Sequence, residues 1–189
     1  MRAAILLAAG SARRFGRGDK LLAMLHRRTV LAHALDRARA SGAMRVLVVV
    51  PSLGGRVGRA VASGGHIRRV VARRHRDGLG ASIAAGLGAL RPIERDVLVF
   101  LADMPFADAP RMRLSPRCSA VRPRSGGVPG HPMLVRTAAA CAASPAGDRG
   151  LGASLGPVAF VRGRAGHVLD IDTPAALRRA RRQRSPKLI

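Results

Sequence analysis

Four short apolar blocks, Ala3–Ala8, Arg45–Val50, Ile67–Ala72 and Val97–Ala102, alternate with stretches of helical spacing and are bounded by nearby Gly or Pro. Continuous, often β-branched runs of this length suit strands buried on both faces of a parallel sheet. Between them, Lys20–Ala40 carries apolar residues at helical intervals (Leu21, Leu22, Leu25, Leu31, Leu35) and ends at Gly42. Gly55–Ser63 and Ala81–Leu90 read as two further helices. A β-α-β-α-β-α-β order predicts an α/β fold, a parallel sheet with helices on both faces. Such sheets bind ligands beyond the carboxyl ends of their strands. The Gly10 loop and the Asp103 segment both fall there.

The second half is less regular. Ala107–Arg124 is rich in Pro and Arg and reads as loop, and Met133–Ala143 as a helix. Val158–Val161 and Val168–Ile171 read as short strands, and Thr173–Arg184 as a closing helix with a basic tail. No linker divides the chain, so 1–189 is expected to be one domain, with a nucleotide-binding half to residue 106 and an acceptor-binding half from 107.

Composition narrows the function classes. Apolar residues make up 48% of the 189, enough for a core, but aromatics only 2%, so Val, Leu, Ile and Ala must build it. No run approaches the roughly 18 apolar residues of a membrane span, and the first residues lack a signal-peptide pattern. Cys118 and Cys141 lack metal-site spacing and are expected as thiols. These features predict a cytoplasmic protein with no membrane partner. The net charge of +24 comes from scattered arginines without interleaved aromatics, so specific nucleic-acid binding is not expected. The charge instead favours small polyanions.

Against this arginine background, the only lysines are Lys20 and Lys187. Lys20 ends a loop of small residues, Leu7-Ala8-Ala9-Gly10-Ser11-Ala12, that also carries Arg13 and Arg14. Small residues let backbone N–H groups approach phosphate, and a compact ammonium suits a point contact to it. Acids are rare: ten in all, with Glu94 the single glutamate. Asp103 follows the fourth strand and precedes Met104-Pro105, a position where a lone carboxylate suits Mg²⁺. Asp170 and Asp172 would alternate on a short strand, so only one can face the crevice. In Asp77-Gly78-Leu79-Gly80-Ala81-Ser82, the backbone and the Ser82 hydroxyl either contact a base or ribose, or Asp77 or Ser82 simply caps a helix.

Together with Leu101-Ala102-Asp103-Met104-Pro105, Gly130-His131-Pro132 and Asp170-Ile171-Asp172-Thr173-Pro174, these segments resemble the molybdenum cofactor cytidylyltransferases. These belong to the MobA-like NTP transferases. The resemblance spans nearly the whole chain. It implies a Rossmann-like three-layer α/β/α nucleotide-diphospho-sugar transferase fold with a mostly parallel sheet. It implies transfer of CMP from CTP (GTP in the guanylyltransferase relatives) to a phosphate of molybdopterin, with Mg²⁺ as cofactor. Catalysis would rest on Arg14, Lys20 and Asp103, the metal on Asp103 and Asp170, with Asp172 capping the last helix. Leu7, Ala8, Ala9, Gly10, Arg14, Lys20, Gly80, Ser82 and Asp103 would bind nucleotide, and Gly130, His131, Pro132 and Asp148 the acceptor. A molybdoenzyme of the xanthine dehydrogenase type is the implied partner, and the chain is expected as a monomer or weak oligomer. Three other readings stand beside this one: transfer to another small phosphate, a cofactor-delivery chaperone without turnover, and a basic nucleic-acid-binding protein. His131 reads as structural or phosphate-binding, because an attacking phosphate oxygen is already ionised and needs no tuned base. Ala12, His26-Arg27-Arg28 and a short 108–119 stretch depart from the family pattern, the last in the acceptor half.

Overall fold

The computed structural model describes residues 1–10, 15, 18–145, 147–148 and 150–183. In chain order the elements of the first half are β1 (Arg2–Leu7), β2 (Met24–Leu25), β3 (Arg28–Thr29), α1 (Val30–Arg39), β4 (Arg45–Val50), α2 (Arg56–Ala60), β5 (Ile67–Val71), α3 (Leu79–Gly88) and β6 (Asp96–Leu101). The second half adds β7 (Ala120–Ser125), β8 (Val128–Pro129), β9 (Met133–Arg136), α4 (Thr137–Ala142), β10 (Val158–Arg162) and α5 (Pro174–Arg182).

The four apolar blocks form β1, β4, β5 and β6, all parallel. The sheet runs β10-β7-β9-β6-β1-β4-β5, with β8 paired to β7. β9 is antiparallel to β6 and β7, whereas β10 and β7 are parallel, so the sheet is mostly parallel. Alternate residues of β1 feed opposite faces: Ala4 and Leu6 pack with α1 residues Leu31 and Ala34, while Ile5 and Leu7 pack with Ile83 and Leu87 of α3. This is the three-layer α/β arrangement. α3 lies so close that a Cβ on Gly86 would stand 2.9 Å from Ile5 Cγ2 and 3.1 Å from Val49 Cγ2.

Four expectations fail here. Lys20 does not begin a helix. Leu21, Leu22 and Leu25 belong to a turn and the β2–β3 hairpin, whose two-residue loop holds His26 at a φ of 55°. The apolar spacing is real, but Leu25 is buried against Val30, Ile171 and Leu177 rather than along a helix face. The helix starts only at Val30, capped by Thr29 Oγ1, which accepts from the Ala32 N–H at 3.1 Å. Met133–Ala143 is strand then helix, because Met133–Val135 pair with β6 and only Thr137 onward is free to coil. The stretch read as loop contains β7, whose Pro123 still offers a carbonyl to the Gly130 N–H at 2.7 Å. Val168–Ile171 is not a strand: a 3₁₀ turn at Ala165–His167 leads into irregular chain. Among the described residues, no helix is long and apolar enough to cross a membrane, and both cysteines are free.

Candidate active site

β1 lies between β4 and β6, so the sheet order reverses at its carboxyl end. The register pairs Leu7 with both Val49 and Leu101, which sets the Ala8–Gly10 loop beside Ala102-Asp103. The Ala8 N–H donates to Val49 O at 2.8 Å, and the Ala102 N–H to Leu7 O at 3.0 Å, fixing both exits.

A cavity of about 670 Å³ opens above these exits, within the size range of small-molecule sites. Ala9, Gly10, Ser82 and Asp103 line it, as do Gly78 and Asp148. Helix α3 points its first turn into this space. Its N-cap is Gly78, so Asp77 and Ser82 are not caps, and the Ser82 side chain is buried in the first turn facing the cavity. Gly78 has a φ of 106°, and a Cβ there would meet the Gly147 carbonyl at 2.5 Å and Asp148 Oδ1 at 2.8 Å. The Gly80 N–H donates to Gly147 O at 2.8 Å. That contact carries Asp148 into the same cavity as Ala9 and Ser82, rather than to the His131 side expected from its family role.

Lys20 is held at the edge of the crevice. Its Nζ donates to Asp103 Oδ2 and to Asp172 Oδ1, each at 2.6 Å, with 9% of its side chain exposed. Burial alone would pull the ammonium down, but the two carboxylates hold it above the usual lysine value. Asp172, not Asp170, is the acid brought to Asp103. The Ile171 N–H donates to Asp103 O at 2.9 Å and the Ile171 side chain is fully buried, so its two neighbours diverge. Asp172 turns to Lys20 and Asp170 stays exposed, which corrects the choice of Asp170 as the facing acid. Nor does Asp172 cap α5; Thr173 Oγ1 does, accepting from the Ala176 N–H at 3.1 Å.

The site also fits a divalent cation. Asp103 Oδ1 is buried without a hydrogen-bond partner, and an orphaned carboxylate oxygen beside a second carboxylate is the donor set Mg²⁺ takes along with phosphate oxygens. Among the described residues, no cluster of three or more potential ligand side chains competes with it. Arg14 lies outside the described residues.

A second cavity of about 230 Å³ shares Leu7 and Leu79 with the first. His131 and Arg122 line it. The His131 Nδ1–H donates to Val99 O at 3.3 Å, and its backbone N–H to His167 O at 2.8 Å. Burial, with the Arg122 guanidinium nearby, pushes the imidazole down to about 4. His131 is therefore neutral at physiological pH and supplies no positive charge to a phosphate. Gly130 and Pro132 are buried and shape the loop without lining the cavity; Gly130 O accepts from Arg122 Nε at 2.9 Å. Arg122 was invisible in the sequence because its segment reads as loop, and nothing distinguishes it from the other arginines until β7 aims it inward.

Comparison with known proteins shows the same fold and a family. A Mycobacterium tuberculosis H37Rv protein, Rv0371c, superposes with a TM-score of 0.80 at 25% identity, over 96% of this chain and 97% of that one. It has also been solved as a manganese complex, which matches with a TM-score of 0.74 at 23% identity over the same shares. Molybdopterin-guanine dinucleotide biosynthesis protein A from Archaeoglobus fulgidus shares the fold, with a TM-score of 0.64 at 18% identity over 95% and 96% of the two chains. The bifunctional protein GlmU of Caulobacter vibrioides is 36% identical over 110 residues, 58% of this chain; the chain spans about a quarter of that relative, 24% of its length. The family model for the MobA-like NTP transferase domain matches residues 4–163, and the chain belongs to that family.

Proposed function

We propose that the protein transfers CMP from CTP to a phosphate of molybdopterin and releases pyrophosphate. The reading rests on Lys20, clamped between Asp172 and Asp103, of which Asp103 forms part of the wall of a nucleotide-sized cavity. An acceptor phosphate oxygen bonds to the α-phosphorus; the bond from that phosphorus to the bridging oxygen breaks, and pyrophosphate leaves with the electron pair. No proton need move, because the attacking oxygen is already ionised. The obstacle is repulsion between two anions, so the chain's contribution is positioning and neutralisation.

Lys20 offers its ammonium to the triphosphate, and the Ala8–Gly10 backbone with Gly80 and Ser82 holds the base and ribose. Arg14 is proposed as a second triphosphate cation. Asp103 and Asp172 would hold the divalent ion, for which Mg²⁺ is the proposed species; when bound it neutralises phosphate charge. The Leu-Ala-Ala-Gly loop favours CTP, because a smaller pyrimidine leaves room for the Ala9 methyl. The half to residue 106 supplies most of the nucleotide cavity, with Asp148 reaching it and Asp172 reaching Lys20 from the remainder, which also carries Arg122 and His131 for the acceptor. Incubation with Mg²⁺, each of the four NTPs and molybdopterin tests the proposal by pyrophosphate release. Release that requires both CTP and molybdopterin supports it.

A further inference from the structure

Arg122 is a half-buried cation with no acid to answer it. Among the described residues, no carboxylate forms a salt bridge with it, and its one hydrogen bond, from Nε to Gly130 O, fixes the guanidinium plane without offsetting its charge. Burial lowers the Arg122 pKa, as expected for a cation removed from water without a partner. Room has been left for its head: a Cβ on Gly152 would stand 2.9 Å from Arg122 Nη1.

The cavity around it is otherwise apolar. Leu79, Ile83, Met133 and Leu151 form its walls, and among the described residues no carboxylate lines it. His131 stands beside Arg122 as a neutral ring, with Nδ1–H committed to Val99 O and Nε2 left as an acceptor. The described residues of the cavity therefore offer a fixed cation, a hydrogen-bond acceptor and an apolar wall. An engineered apolar cavity of about 150 Å³ accepts benzene, so about 230 Å³ takes a body of roughly nine non-hydrogen atoms.

We infer that Arg122 is the anchor for the acceptor's phosphate, and that the small cavity selects acceptors whose phosphate-bearing end is compact and apolar-faced with an N–H or O–H for His131. This rests on the nucleotidyl-transfer reading for the acceptor's role, but the anion site itself can be tested without turnover. The guanidinium fork suits a phosphate bidentately, which a lysine cannot reproduce. The shared walls Leu7 and Leu79 put this anchor next to the nucleotide cavity, so the bound acceptor lies alongside the nucleotide.

The probe is inorganic phosphate, with acetate as the carboxylate control, titrated by calorimetry into protein saturated with α,β-methylene-CTP so that the nucleotide cavity is filled. Phosphate should bind at least tenfold more weakly to Arg122→Gln, with Arg122→Lys between the two, while affinity for the analogue stays within twofold. Phosphate, and acetate to a lesser extent, should also raise the His131 titration midpoint by NMR in the wild type but not in Arg122→Gln. Unchanged phosphate affinity in both variants, or an unmoved His131 midpoint, overturns the anchor. A parallel fall in analogue affinity also overturns it, since Arg122 would then be scaffold. Absence of pyrophosphate release with intact, Arg122-dependent phosphate binding would instead count against the transferase reading alone.

Discussion

Replacing Lys20 by Met removes the group on which the site is built. Each of its contacts, at 2.6 Å, represents roughly 6 kcal/mol of gross attraction at an effective dielectric near 20. Desolvating three charged groups offsets most of that, and breaking a buried pair typically costs about 3–5 kcal/mol. Asp103 and Asp172 keep 20% and 24% of their side chains exposed, so water relieves part of the repulsion left behind. The expected loss of stability is about 2–3 kcal/mol at neutral pH. Because the folded-state pKa of Lys20 is raised, its contribution is fully present below the ordinary value of 10.5 and fades as pH rises through the folded value. The gap between wild type and variant should therefore narrow only in strong alkali. In turnover, loss of one phosphate-facing cation should lower kcat/KM on the order of 10²–10³-fold. Urea melts from neutral pH to about 11, paired with pyrophosphate release by the folded variant, measure both. Wild-type turnover in Lys20→Met would mean that Lys20 does not face the triphosphate, and a stability gap that widens with pH would mean that its two carboxylates do not hold it.

Asp172→Asn should cut turnover by about 10²-fold and weaken Mn²⁺ binding seen by EPR, while Asp170→Asn stays within about twofold on both. Glu94 is buried at the opposite end of the sheet, where Arg45 grips it through Nε at 2.8 Å and Nη2 at 2.6 Å and the Arg91 N–H donates at 2.6 Å. Burial would raise this carboxyl, but these partners hold it below its ordinary value of 4.5. Its stabilisation is therefore present above about 4.5 and lost as pH falls through the folded value. Glu94→Gln should cost about 3 kcal/mol in urea melts at pH 7, with a gap that closes in acid. Gly78→Ala puts a side chain at a φ of 106° and against the Gly147 carbonyl. Nucleotide affinity by fluorescence titration should fall at least tenfold, because the loop carrying Asp148 must move, while the melting temperature drops by a few degrees at most.

What could be read in advance followed from range. β1, β4, β5 and β6 were legible because a buried parallel strand announces itself in its own few residues, and Asp103 was legible because it ends one of them. β9 was not: Met133–Val135 look helical beside an alanine run, and only register with β6 makes them a strand. The Leu21–Leu25 spacing satisfied a helical period but serves a hairpin, pinned from the far end of the chain by Arg181, whose Nη2 donates to Met24 O at 2.8 Å. The choice between Asp170 and Asp172 was undecidable locally, since it depends on how Ile171 is buried and bonded to Asp103. Arg122 is the extreme case. One arginine among many becomes distinctive only when β7, Gly130 and Gly152 orient it and no acid arrives to pair with it.

Pyrophosphate release with Mg²⁺, CTP and molybdopterin together measures nucleotide transfer to an anionic acceptor at the Lys20 site. Release should keep step with acceptor consumption, run slower with GTP and be absent without acceptor. No release with any of the four NTPs, or release that proceeds equally without acceptor, would contradict such transfer.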